Sequence, residues 1–270
     1  MSQPPELEIE FCTQLVDSEG RITAGPTLRT HQRSIPVGDK LILEMVLVPG
    51  GAFLMGSPRG QGYPDEQPQH FVQTWPFWMS RYPVTQEQWQ AVIGTFPCRF
   101  KGPRLPVDTI SWVEACRFCE KLSARTRHVI HLPSEAQWEY ACRAGTNTAF
   151  SYGPTLTSDL ANYNGKFSYR GGPVGVYRHI STPGGTFPPN AFGLYDLHGN
   201  VWEWCADVWH DDYSGAPVDS SAWITGAPDE FRVARGGSWH DIPEVCRSAT
   251  RLKVRGSEGD ELTGFRVVMD

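Results

Sequence analysis

The sequence predicts a loop-rich α+β fold, and three observations carry that prediction. First, 27 glycines and 22 prolines in 270 residues interrupt regular elements often, so much of the backbone must run in turns and loops. Second, 10 tryptophans and a 40% hydrophobic content supply the rings and apolar surface that pin such loops onto a continuous core. Third, the apolar pattern alternates between short strands of period two and short helices, each helix opened by its own capping signal. The length exceeds the usual domain mode of ~100–150 residues but fits one large domain. No internal repeat or low-complexity linker divides it.

The elements follow in order. Residues 7–11 (LEIEF) alternate, with Leu7, Ile9 and Phe11 on one face. A turn at DSEG (17–20) and the following RITAG make an N-terminal β-hairpin within residues 1–40 the expectation. LILEMVLV (41–48) reads as a buried strand ended by Pro49, Gly50 and Gly51. FLMG (53–56) reads as a short strand before a polar, Gly/Pro-rich loop at 57–69, and FWMSRYPV (77–84) as another strand. Three capping boxes, in which a Ser/Thr oxygen and a Glu/Gln three residues on satisfy free backbone donors, open three helices. They are Thr85–Gln88, closed by Gly94; Ser111–Glu114, running to about Ala124; and Ser134–Gln137, closed by Gly145. From 146 to 190 no helical period is visible, and Phe150, Tyr152, Tyr163, Phe167 and Tyr169 are expected to pack this stretch down.

Charge and cysteine usage exclude several classes. A net charge of −6 argues against nucleic acid, whose binding needs a basic footprint. No run approaches the ~18 apolar residues of a membrane span. The N-terminal MSQPPELEIEF lacks the basic and apolar regions of a signal peptide, and seven unevenly spaced cysteines make no disulfide framework. A reduced, cytoplasmic setting is the expectation.

Catalytic constellations are sparse. Cys116 and Cys119 lie at i,i+3 on the second helix, where they could make half of a zinc site, but no second pair appears and an amphipathic helix face explains them. His128 and His131 fall in an extended segment, where i and i+3 point to opposite faces. His210-Asp211-Asp212 reads as a polar, exposed run. Ser238 lacks a nucleophile elbow, and GSPRGQG (56–62) is not a phosphate loop.

GLYDLHGNVWEW (193–204), with LEMVLVPGGAFLMGSP (43–58), LPSEAQWEYACRAG (132–145), FPPNAFGLYD (187–196), RGGSW (235–239) and GFRVV (264–268), resembles the sulfatase-modifying-factor family. The resemblance runs in order from residue 41 to 270. Its prototype is the formylglycine-generating enzyme, on a C-type-lectin-like fold, so that fold is implied for residues 41–270. The resemblance also implies calcium at Asp196, Glu203 and the carbonyls of Gly199 and Val201. Two carboxylates and irregular-loop carbonyls are hard oxygen ligands that suit Ca²⁺; the alternative is that both acids hydrogen-bond neighbouring backbone amides. A second calcium site would begin at Asn162 and Tyr163, but KFSYRGGPVGV lacks the acid it needs.

The family's oxidase chemistry resembles oxygen activation on Cu(I) held by two thiolates five residues apart, just after RGGS. Aligned on Arg235–Ser238, the second thiolate is Cys246 and the first falls on Asp241. A carboxylate cannot replace a thiolate for Cu(I), so copper and formylglycine generation are not expected. Cys246 then reads as a small buried hydrophobe. Between the frame residues of 232–268 lie His240, Asp241, Ile242, Glu244, Val245, Thr250, Leu252, Lys253 and Val254, which share no period, charge or size. Such a mixture on loops resembles a ligand-binding surface. The pattern resembles the variable proteins of bacterial diversity-generating retroelements, which implies a non-catalytic display protein whose C-terminal surface takes a protein or other macromolecular ligand. The alternative is an enzyme of the formylglycine-generating or a related oxygen-using type.

Overall fold

A computed structural model describes residues 6–225 and 230–269; residues 1–5 of the N-terminal segment and Asp270 lie outside that description. Strands β1 (Glu6–Val16) and β2 (Ile22–Pro36) form the hairpin, turning at Asp17–Gly20, where the Asp17 carboxylate accepts the backbone N–H of Glu19 and Arg21. The hairpin is not a detached extension. β2 pairs with β3 (Ile42–Val48), and the six-stranded sheet runs β1-β2-β3-β6-β12-β7, with β6 at Phe77–Ser80, β7 at Ile130–His131 and β12 at Val268–Met269. The C-terminal strand thus inserts between β6 and β7 in the middle of the chain, tying both ends into one sheet.

β4 (Gly51–Met55) pairs with β5 (His70–Thr74), a strand that falls between the loop expected at 57–69 and the strand expected at 77–84. Its only signals are five residues with Val72 as the sole fully buried apolar side chain. The strand expected at 77–84 stops at Ser80. The helices are α1 (Gln86–Ile93), α2 (Trp112–Thr126) and α3 (Glu135–Arg143), each with both halves of its capping box formed at Thr85, Ser111 and Ser134. A second sheet, β10-β9-β8-β11, comprises β8 (Trp202–Val208), β9 (Phe231–Arg235), β10 (Arg251–Arg255) and β11 (Thr263–Gly264).

The main core gathers Ile35, Met45, Trp89, Phe118, Trp204 and Phe265 from both sheets and from α1 and α2. Residues 146–201 contain no helix or strand. Phe150, Tyr152, Tyr163 and Tyr169 pack it down as expected, but Phe167 is 52% exposed. The buried rings form their own cluster with Val16 of β1 and with Cys246.

Candidate functional site

The arginines of the C-terminal motif are structural. α3 presents Glu135 and Glu139, one turn apart, to a set of buried guanidinium groups. Arg235 pairs with Glu139 and donates to the carbonyls of Ser248 (3.0 Å) and Ala249 (2.7 Å). Arg251 donates to both oxygens of Glu135 (2.7 and 3.0 Å), and Arg143 to Glu139 (2.8 Å). Burial would raise the Glu135 carboxyl, but Arg251 and Arg235 beside it hold it below its ordinary range. Arg247 makes a bidentate pair with Glu66 (2.6 and 2.8 Å), and Arg266 one with Glu203 (2.6 and 2.8 Å). Charges removed this far from water persist only when paired and hydrogen-bonded, and these are.

The same pairing reaches the residues of the calcium expectation. Glu203 is fully buried, clamped by Arg266 and by the Trp138 indole N–H at 2.6 Å, so its oxygens are committed. Asp196 accepts from the Gly185 N–H at 2.8 Å and keeps one buried oxygen without a partner, while burial pushes its carboxyl up to about 7. Gly199 and Val201 are buried, and the Gly199 N–H donates to Gly236. The unpartnered Asp196 oxygen is thus the carboxylate position left open to a hard cation, while both Glu203 oxygens are shared with Arg266. At the second place, the Asn162 side chain donates to Ile180 and Asn200 and the Tyr163 ring is buried. Among the described residues no group of three or more His, Cys, Asp and Glu side chains is placed to hold a metal.

The Asp241/Cys246 pair offers one thiol and one carboxylate, where Cu(I) takes two thiolates. One Asp241 oxygen accepts the Ser238 N–H (3.0 Å), the Ser238 hydroxyl (2.6 Å) and the Trp202 indole N–H (2.8 Å). Asp241 therefore closes the loop that Gly236 and Gly237 begin. Gly237 has φ +77°, and a Cβ there would sit 2.6 Å from the Cys246 sulfur, so only glycine serves. Cys246 has no solvent exposure, and burial drives its thiol well above the ordinary range. His198, sealed beneath it, bonds the Cys246 carbonyl and the Ser151 N–H and hydroxyl (2.8–2.9 Å). Burial pulls that imidazole down to about 4, so it stays neutral.

The nine residues expected to form one outward surface divide. His240, Ile242 and Lys253 are exposed; Asp241, Glu244, Val245, Leu252 and Val254 are half-buried; Thr250 is buried with its hydroxyl on the Glu244 carbonyl. Leu252 and Val254 project from one face of β10 onto the main core, as does Val245 nearby, whereas Lys253 projects from the other face. The alternation of a strand, which the loop reading overlooked, separates them. What remains together is the loop 239–245. It borders a cleft of about 440 Å³ lined by Phe100, Tyr177, His179, Trp239 and His240. The Tyr177 hydroxyl bonds His240 Nδ1 at 2.7 Å, Trp239 meets Phe100 edge-on at 5.8 Å, and Asn164 N–H holds the Asp241 carbonyl at 2.8 Å. Tyr177 and His179 come from the irregular segment and had no sequence signal beyond being aromatic.

The remaining candidates resolve plainly. Cys116 and Cys119 pack in or against the main core, as an amphipathic helix requires. His131 Nδ1 lies 2.9 Å from the Leu132 carbonyl. His210 is not part of a solvated polar run: its ring stacks on Trp223 at 3.5 Å.

Residues 33–270 match the family model of the sulfatase-modifying factor enzyme 1-like domain. The chain is 29% identical over 302 residues to the formylglycine-generating enzyme of Mycobacterium tuberculosis, covering 85% of this chain and 99% of that protein. It is 28% identical over 281 residues to the inactive C-alpha-formylglycine-generating enzyme 2 of Mus musculus, covering 82% and 84%. A serine/threonine-protein kinase pkn1 of Chlamydia caviae is 29% identical over 254 residues, and there the chain spans 84% of itself but 38% of the kinase. Among solved structures, PvdO from Pseudomonas aeruginosa superposes with a TM-score of 0.76 at 34% identity, over 88% of this chain and 97% of that one. Treponema denticola variable protein 1 also gives 0.76, over 88% and 98%, at 23% identity, a likeness of fold alone. No helix among the described residues is long and apolar enough to cross a membrane. The chain belongs to the sulfatase-modifying factor enzyme 1-like family, on the α+β, C-type-lectin-like fold of the formylglycine-generating enzyme.

Proposed function

We propose that this protein is a non-catalytic ligand-binding member of its family, with its binding surface at loop 239–245 and the aromatic cleft beside it. The observation that carries the reading is the state of Asp241. Its carboxylate stands where the first thiolate would be and is spent on Ser238 and Trp202. With Cys246 sealed below, positions 241 and 246 present no soft ligand to solvent. His240 and Ile242, by contrast, project from a loop whose backbone is fixed at Asn164 and Asn200. A rigid base under side chains free to change is what a display surface needs. The aromatic rings favour a macromolecular ligand that brings its own flat or apolar groups. The family includes a protein named as inactive alongside enzymes, so loss of the chemistry has precedent on this fold.

The specific form of this reading is a variable protein of a diversity-generating retroelement, supported by the motif order and by a variable protein sharing the fold. Sequencing the encoding locus tests it. The expected finding is a neighbouring reverse transcriptase gene and a near-copy of the stretch for residues 232–268, with substitutions concentrated at codons 240, 242 and 244. A locus with neither, and with invariant codons across isolates, would overturn the retroelement form.

A further inference from the structure

A second cleft, of about 630 Å³, lies on the opposite face of β10 from Leu252 and Val254, away from loop 239–245. Its apolar lining is Trp209, Trp223 and Phe231, and its polar lining includes Asp211, Asp212 and Glu230. The Trp209 indole donates to Asp211 at 2.7 Å, fixing that carboxylate at the edge of the ring. Trp223 is held by the parallel His210 ring at 3.5 Å, and His210 in turn has its two nitrogens 3.1 and 2.8 Å from the carbonyls of Val208 and Thr225. Among the described residues three cations meet these rings: Arg251 lies 4.4 Å from the Trp209 ring centroid while paired with Glu135, Arg255 lies 4.9 Å from that of Phe231 while paired with Glu230, and Lys253 is the third. Lys253 Nζ sits 4.8 Å from the Phe231 ring centroid, 5.8 Å from that of Trp209 and 3.5 Å from Asp211 Oδ1. With Glu230 taken by Arg255, Asp211 and Asp212 against Lys253 leave the described lining one charge negative. Flat electron-rich rings beside carboxylates attract a cation that sheds water readily, which describes an alkylammonium better than a metal ion.

We propose that this cleft binds an alkylammonium group, with Lys253 as the internal occupant that such a ligand displaces. The Trp209 indole and the Lys253 ammonium hold the Asp211 carboxyl below its ordinary range, so it is ionised at neutral pH and can receive the incoming charge. Lys253 is 44% exposed on a flexible stem, and it can swing into water without disturbing the ladder that β10 makes with β9.

The probes are choline and 3,3-dimethylbutanol, which share a shape and differ in charge, titrated against the whole protein while the Trp209 indole N–H resonance is followed. That resonance is assigned by its loss in Trp209→Phe. Choline is expected to shift it saturably, with affinity ~10-fold or more above the neutral alcohol. Lys253→Ala is expected to tighten choline several-fold by vacating the site, and Asp211→Asn to weaken it by ~3-fold or more. Nα-acetyl-lysine amide, run in parallel, separates side-chain ammonium from quaternary headgroup: tighter binding by either names the source and supports the site. Lys253 and Asp211 are exposed, and unchanged melting temperatures of their variants serve as the folding check, whereas Trp209 is buried beside them and its variant serves for assignment alone. Equal binding of the alcohol, or no choline shift in both the natural protein and Lys253→Ala, would overturn the proposal.

Discussion

Asp241 shows how a single residue can close a chemistry and open another use. At the first thiolate position, cysteine would present a soft, poorly hydrogen-bonding sulfur; aspartate presents an oxygen that three donors share. The sequence identified the substitution and what it removes, since soft and hard ligands are read from residue type. It did not reveal that the carboxylate turns inward, because Trp202 lies 39 positions earlier and only the fold brings its indole there. Truncating Asp241 to Ala should leave the Ser238 N–H and the Trp202 indole unpaired and cost about 2–3 kcal/mol. Asp241→Asn keeps an acceptor oxygen and should cost under half of that. Urea unfolding of the two variants separates them. Equal, negligible losses would mean that the carboxylate is displayed and not structural.

At the scale of elements, the helices were legible and the long coil was not. Each capping box is a local device, and all three form at the residues that spelled them. β5 and the short strands β7, β11 and β12 have two to five residues each and exist because distant partners pair with them, so no local period marks them. The segment 146–201 is ordered from within by rings and by His198, whose nitrogens join Ser151 to the turn carrying Cys246. That imidazole, held down at about 4 against an ordinary 6.5, makes the junction pH-sensitive. The unfolded chain takes up the proton first as pH falls, so His198's contribution is complete above ~6.5 and is lost progressively toward 4. Asp207, which burial and the Glu135 charge push up to about 7, has the opposite sign, with stability declining as pH rises from ~4 to 7. Subtracting the melting profile of His198→Asn from that of the natural protein isolates the first effect. The difference should favour the natural protein at neutral pH and shrink between pH 6.5 and 4; a pH-independent difference would contradict the assignment.

Taken whole, the molecule divides its C-terminal motif between frame and surface more sharply than the sequence suggested. Arg235, Arg247, Arg251 and Arg266 match the family frame in a linear reading, and each is taken up by a buried glutamate contributed from far up the chain. Glu203, expected as a calcium ligand from family likeness, belongs to the same ionic frame. Legible were the fold family, the frame positions and the loss of the thiolate pair. What the sequence could not give was the partner of each charge, because a glutamate reads the same whether it faces a metal or a guanidinium, and the splitting of Leu252 from Lys253 by the strand they share. The central claim is that this frame supports binding and not oxygen chemistry. It is tested most directly by incubating the protein with Cu(I), oxygen and a cysteine-bearing sulfatase peptide and measuring aldehyde by mass spectrometry. The account predicts that the cysteine stays unchanged, at the level of a no-protein control. Turnover clearly above that control, abolished in Cys246→Ser, would contradict it and restore the chain to the family's enzymes.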